Sequence, residues 1–127
     1  MNGPRRVLVI DDDEDVRMLV RLSLERVGGH QVIEATDGPA GVETAVAERP
    51  DAILLDVMMP VMDGPATVAE LRNRPETAEI PIVLLTAKVQ ARDRDPYSEL
   101  PIAGAIAKPF DPLKLSAQLE RLVDGRG

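Results

Sequence analysis

The chain has no cysteine and no tryptophan, and only one tyrosine, one phenylalanine and one histidine. Without cysteine it can hold neither a disulfide nor a thiolate metal site. His30 alone cannot build a histidine zinc site. It stands beside Gly28 and Gly29, where a loop is expected, and no second ligand type clusters near it, so a structural role is expected. With so few aromatics, the core must be made of Val, Ile, Leu, Ala and Met. Positive charge is also in short supply: 15 Lys and Arg face 22 Asp and Glu, a net charge of -7. That balance argues against a general nucleic-acid binder, which needs a basic face. No apolar run approaches membrane-spanning length. Residues 1–6 lack the apolar stretch of a signal peptide, so the cytoplasm is the simplest location. There is no internal repeat or low-complexity tract. The 127 residues suit one domain with a real core.

What is present is an alternation. Residues 1–6 read as a disordered lead-in. Val7-Leu8-Val9-Ile10 is a continuous apolar run, hence a strand buried on both faces, and it ends in Asp11-Asp12-Asp13-Glu14-Asp15. Val16, Leu19, Val20, Ser23, Leu24 and Val27 then recur at helical spacing, and Gly28-Gly29 stops the helix. Asp13, Glu14 and Asp15 suit the positive end of its dipole. Gln31 to Ala35 reads as an edge strand. Asp37 or Thr36 caps a second helix with Pro39 near its first position, running to about Glu48. Ala52-Ile53-Leu54-Leu55 is a third strand ending at Asp56. Gly64-Pro65 opens a third helix that ends near Arg74-Pro75. Ile80 to Leu85 is a fourth strand, ending at Thr86. Pro96 and Pro101 interrupt the next stretch, which predicts a short or irregular helix near 90–99. Ile102 to Ala107 is a small-residue strand ending at Lys108-Pro109. A last helix from about Pro112 carries Leu115, Leu119, Leu122 and Val123 on one stripe, and 125–127 is a tail.

Five strand–helix alternations with short connections predict an α/β fold, a parallel sheet with helices on both faces. Such sheets bind ligands at the carboxyl ends of their strands. Those ends carry Asp11, Asp12, Asp56, Thr86 and Lys108. Asp is a common turn residue, so its own stretch leaves a loop-starting role open for Asp56. The clustering decides for function, because three acids at one edge repel one another and folding needs none of them. Carboxylates without His or Cys suit a hard cation, and magnesium fits best, since it takes one or two carboxylates and keeps waters for a phosphate. Lysine is a phosphate partner, and a threonine hydroxyl can donate to a phosphoryl oxygen. An aspartate can attack phosphorus to give an acyl phosphate. The site therefore reads as phosphoryl transfer onto Asp56.

On these residues the chain resembles the receiver domains of two-component response regulators. The matching stretches are Val9-Ile10-Asp11-Asp12, Asp56 through Gly64, Leu84-Leu85-Thr86-Ala87 and Lys108-Pro109-Phe110, and the resemblance covers about residues 6–123. It implies a flavodoxin-like, doubly wound sheet of five strands in the order 2-1-3-4-5, an order already associated with the chemotaxis receiver. It implies that Asp56 is the phosphoacceptor, that Asp12 binds Mg2+ directly with Asp11 acting largely through water, and that the Met58 carbonyl is a further ligand. Thr86 and Lys108 would contact the phosphoryl oxygens. It also implies a histidine kinase or histidine phosphotransfer protein as donor, a downstream protein target, and a monomer or weak dimer.

The chain departs from the family pattern in places. Three residues before Lys108 the family usually carries Tyr or Phe; here it is Ala105, so signalling is expected to run through the Thr86 loop and segment 87–101. Tyr97 is expected to pack or face solvent, not to substitute for the missing ring. Pro96 and Pro101 weigh against the family's usual dimer through its fourth helix. Met58 and Lys88 occupy positions that tune phosphate lifetime, and an apolar Met58 is expected to slow hydrolysis. No output domain is expected after the receiver at 7–124, and a stand-alone receiver that acts by docking is the preferred reading. An aspartyl-phosphate hydrolase is disfavoured, because the acids after strand one lack the threonine of Asp-x-Asp-x-Thr. A flavin binder is disfavoured by five acids where a phosphate loop should lie. A receiver-like docking module that is never phosphorylated is the remaining alternative.

Overall fold

A computed structural model of the chain describes residues 5–87 and 100–124. The elements are β1 (Arg6–Ile10), α1 (Glu14–Leu22), β2 (Gln31–Ala35), α2 (Gly38–Glu48), β3 (Ala52–Asp56), α3 (Gly64–Arg72), β4 (Ile82–Thr86), β5 (Gly104–Ala107) and α4 (Leu115–Asp124). All strand pairings are parallel, in the order β2-β1-β3-β4-β5. This is the doubly wound sheet the sequence predicts. The helix expected near 90–99, with Pro96 and Tyr97, lies outside the described residues, and so does Lys88.

The sheet divides the core because successive strand residues point to opposite faces. On one face Leu8, Ile10, Ile53, Leu55 and Leu84 pack against Val42 and Ala45 of α2 and Val68 and Leu71 of α3. On the other, Val7, Val9, Leu54, Val83 and Leu85 pack against Val20, Leu24, Leu115 and Leu119. Each fully buried aliphatic side chain contributes about 1.5–3 kcal/mol, so β1, β3 and β4 form a rigid platform for whatever stands at their ends.

Side-chain caps fix where the helices begin. Asp13 accepts from the amides of Asp15 and Val16, Asp37 from Ala40 and Asp63 from Ala66. α2 approaches β1 closely at Gly41. A Cβ there would lie 2.4 Å from Ile10 Cδ1, in a core with no room to yield. Gly41→Ala is therefore expected to lower stability by about 1–3 kcal/mol despite alanine's better helix propensity. A urea midpoint at or above the wild-type value would show that Ile10 re-packs freely.

The structure corrects several sequence expectations. Residues 1–6 were expected as lead-in, but Arg5 is buried and Arg6 begins β1. The Arg6 amide donates to Asp51 Oδ2 and its guanidinium pairs with Glu48, which draws it into the sheet. Leu19 and Val27, expected on the buried stripe of the first helix, are 40% and 51% exposed. For Val27 the reason is that α1 passes into a π-helical turn over Ser23–Val27. A π turn adds a residue per turn and rotates the stripe, so Leu24 turns inward and Val27 outward. Leu19 is left at the stripe's edge, beside an apolar opening of about 300 Å³ that it shares with Val16, Lys108, Pro109 and Phe110. The third helix stops at Arg72, short of Arg74, β4 starts at Ile82 and β5 at Gly104. α4 begins at Leu115, not Pro112, because Asp111 first forms a tight turn, accepting from the amides of Leu113 and Lys114.

His30 has the structural role expected of it. Its Nδ1 accepts from the Arg5 amide at 3.1 Å, and its Nε2 lies 2.8 Å from Glu120 Oε2 and 3.1 Å from Ser116 Oγ. Arg5 also forms an ion pair with Asp124. These contacts tie the amino ends of β1 and β2 to α4 along its length, from Ser116 to Asp124.

Candidate functional site

The carboxyl ends of β1, β3, β4 and β5 bring the sequence candidates together. Asp56 is the last residue of β3 and pairs in register with Leu85, one residue before Thr86. Thr86 pairs with Ala107, one residue before Lys108, and the Lys108 amide donates to the Thr86 carbonyl at 2.9 Å. Asp11 follows β1 directly. The Lys108–Pro109 peptide is cis. Asp56, Asp11 and Thr86 are buried, whereas Asp12 is exposed.

One oxygen each from Asp11, Asp12 and Asp56 lies within 4.8 Å of the others. Lys108 Nζ straddles two of these acids, 3.0 Å from Asp56 Oδ1 and 3.3 Å from Asp11 Oδ2. Asp56 Oδ1 also lies 3.4 Å from the Met58 amide, which leaves Oδ2 without a hydrogen bond among the described residues. The Met58 side chain is 77% exposed over this edge.

The charges respond to one another. Burial raises the Asp11 carboxyl above its usual value. The hydrogen bond from the Asp13 amide works against this, the Asp56 charge adds to it, and the Lys108 charge opposes it without reversing it. Burial alone would lower the Lys108 ammonium, but its hydrogen bonds and charge contacts with Asp56 and Asp11 outweigh burial and raise it. The lysine thus stays cationic and offsets part of the repulsion between the acids.

Sequence reasoning missed a second layer. Arg17 of α1 donates from Nη1 to the Asp11 carbonyl at 2.8 Å and from Nε to Glu34 Oε1 at 2.9 Å. Arg21 holds the other Glu34 oxygen at 2.7 Å and pairs with Glu25. Burial works to raise the Glu34 carboxyl, but the bonds from Arg21 and Arg17 lower it overall. The available signal was an arginine one turn into the helix that follows the acidic loop, facing an acid on the neighbouring strand. At Ala105, where the family usually has a ring, the side chain is half-buried against the core cluster that contains Leu84.

A parallel sheet in this order, with two acids after β1, one at the end of β3 and a lysine after β5, defines a receiver. Residues 7–120 match the response regulator receiver domain, and the chain belongs to that family. Receivers of this family are signalling modules of two-component systems. The chain is 36% identical over 119 residues to the alkaline phosphatase synthesis transcriptional regulatory protein PhoP of Bacillus subtilis, covering 94% of this chain and 48% of that protein. It therefore spans about half the length of the curated relatives it matches. The chemotaxis response regulator CheY4 of Vibrio cholerae superposes with a TM-score of 0.86 at 31% identity, over 94% of this chain and 99% of that one. The receiver domain of the sensor histidine kinase PA1611 of Pseudomonas aeruginosa, solved with a magnesium ion coordinated in its active-site cleft, superposes with a TM-score of 0.83 at 29% identity, over 96% and 99% of the two chains. Among the described residues, no helix is long and apolar enough to cross a membrane.

Proposed function

We propose that the protein is a phosphorylation-dependent switch in which Asp56 accepts a phosphoryl group from a histidine kinase or histidine phosphotransfer protein in the cytoplasm. The observation that carries this reading is the Asp56 carboxylate itself, fixed at a strand end with Lys108 on one oxygen and the other without a hydrogen bond among the described residues. An Asp56 oxygen attacks phosphorus in line as the bond to the donor breaks, and the donor leaves with that electron pair. Lys108, whose Nζ reaches Asp56 Oδ1, is assigned one phosphoryl contact, and Thr86, buried at the neighbouring strand end, the other. All donors in the cluster are oxygens, which fits a hard divalent cation. Asp11, Asp12, Asp56 and the Met58 carbonyl would hold Mg2+, which when bound supplies charge neutralisation for the transfer.

The new dianion draws on Lys108, and a downstream protein target reads the resulting change of surface. Exposed Met18, Leu19, Leu22 and Leu113 offer apolar contact area for partners on the described surface. The test is intact-protein mass after incubation with acetyl phosphate and Mg2+. Wild type is expected to gain one phosphoryl adduct, and Asp56→Asn to gain none. A wild type without an adduct under any condition would reduce the protein to a docking module regulated by other means.

A further inference from the structure

We infer that Arg17 and Glu34 form a positioning pair for the acidic loop, with Arg17 orienting the peptide that carries Asp12 and Glu34 aiming Arg17; this rests on the metal reading of the site proposed above. Asp11 is held at four points. Its amide donates to the Ala35 carbonyl at 3.1 Å, Oδ1 accepts from the Asp13 amide at 2.9 Å, Oδ2 faces Lys108 at 3.3 Å, and its carbonyl accepts from Arg17 at 2.8 Å. The last of these differs from the others. The Asp11 carbonyl shares one rigid peptide plane with the Asp12 amide, so fixing that oxygen fixes the direction in which Asp12 leaves the strand. Asp12 has little else to fix it. It is exposed, and its carboxylate makes no hydrogen bond or ion pair among the described residues.

Arg17 is suited to this task by its shape. A guanidinium is a planar fork, so Nε can be committed to Glu34 while Nη1 points at the carbonyl. The Arg17 side chain is only 13% exposed, and its partner Glu34 sits on β2 opposite Val9. Arg21 meets the other oxygen of this carboxylate, Oε2, and takes no part in the bonds Arg17 makes to Oε1 and to the Asp11 carbonyl. The pair therefore links the edge strand, the first helix and the loop of acids. A lysine at 17 would keep the charge without the two-point hold.

The experiment compares wild type with Arg17→Ala, Arg17→Lys, Glu34→Gln and Arg21→Ala. Arg21→Ala disturbs the same ion network but leaves the Arg17–Asp11 bond intact, so it controls for a role in folding alone. Mg2+ affinity is measured by calorimetry, and amide spectra are recorded on the metal-free proteins. Both Arg17 variants are expected to bind Mg2+ roughly tenfold more weakly, the scale typical of residues that orient metal ligands. Glu34→Gln should show a smaller loss, and Arg21→Ala should stay within about twofold of wild type. The Asp12 and Asp13 amide resonances should move in the Arg17 variants and hold still in Arg21→Ala. Wild-type affinity in Arg17→Ala or Arg17→Lys, or an equal loss in Arg21→Ala, would overturn the positioning pair while leaving the metal reading intact. A wild type that binds no Mg2+ would overturn the metal reading and the pair with it.

Discussion

Lys108→Ala is expected to lower the stability of the metal-free protein by about 1–3 kcal/mol at neutral pH. The lysine is the cation between Asp11 and Asp56. Two carboxylates within 4.8 Å of each other repel by roughly 3–4 kcal/mol at an effective dielectric near 20. A quarter of the Lys108 side chain is exposed, so water screens part of that loss. The effect has a definite pH sign. The Asp11 carboxyl is raised above its unfolded value, mainly by burial, so ionising it costs native stability as pH rises through its folded value. Removing Lys108 adds to that cost. The deficit is therefore largest near neutral pH and narrows on acidification. Mg2+ should restore more stability to the variant than it adds to wild type. Urea unfolding with and without Mg2+ checks this, and an unchanged midpoint for the metal-free variant would show that Lys108 offsets nothing.

The second large effect lies in the core. Leu54 is fully buried on β3, between Val9 and Val83 of the neighbouring strands. Leu54→Ala is expected to cost about 3–5 kcal/mol, because a cavity at the centre of a sheet cannot collapse. That is a large share of the roughly 5–15 kcal/mol available to a domain, and melting should fall by about 10–20 °C. Because Asp56 is two residues further along the same strand, phosphoryl uptake should fall at temperatures where unfolding begins. A melting temperature within about 3 °C of wild type would mean that β3 is not the rigid support described here.

Much of this was legible in the sequence, for a physical reason. A strand buried on both faces must be a run of aliphatics, so Val7 to Ile10, Ile53 to Leu55 and Ile82 to Leu85 announce themselves. In a parallel sheet the ends of such runs share one edge. Asp11, Asp12, Asp56, Thr86 and Lys108 could therefore be placed together without any measured distance, and the structure brings their strand ends to one place. The Met58 carbonyl came from the resemblance alone. What the sequence hid depends on contacts between distant elements. The π turn is held where Ser23 Oγ meets the Pro112 carbonyl, 89 residues away in sequence. No periodicity in the first helix encodes that meeting. Arg17 and Glu34 each look like ordinary surface charges until β2 is laid beside β1.

The ion pair between Arg5 and Asp124 fixes where this domain can be tethered. Residues 5 and 124 are neighbours in space at the amino ends of the strands. Asp56 stands at the opposite ends, a strand of five residues or roughly 16 Å away. A linker of a few residues between these two positions would close a ring at small entropic cost. A label or cargo attached at either one starts out on the face remote from Asp56. The polar clamp of Arg5, His30, Glu120 and Asp124 thus marks an end suited to attachment, opposite the end that carries Asp56.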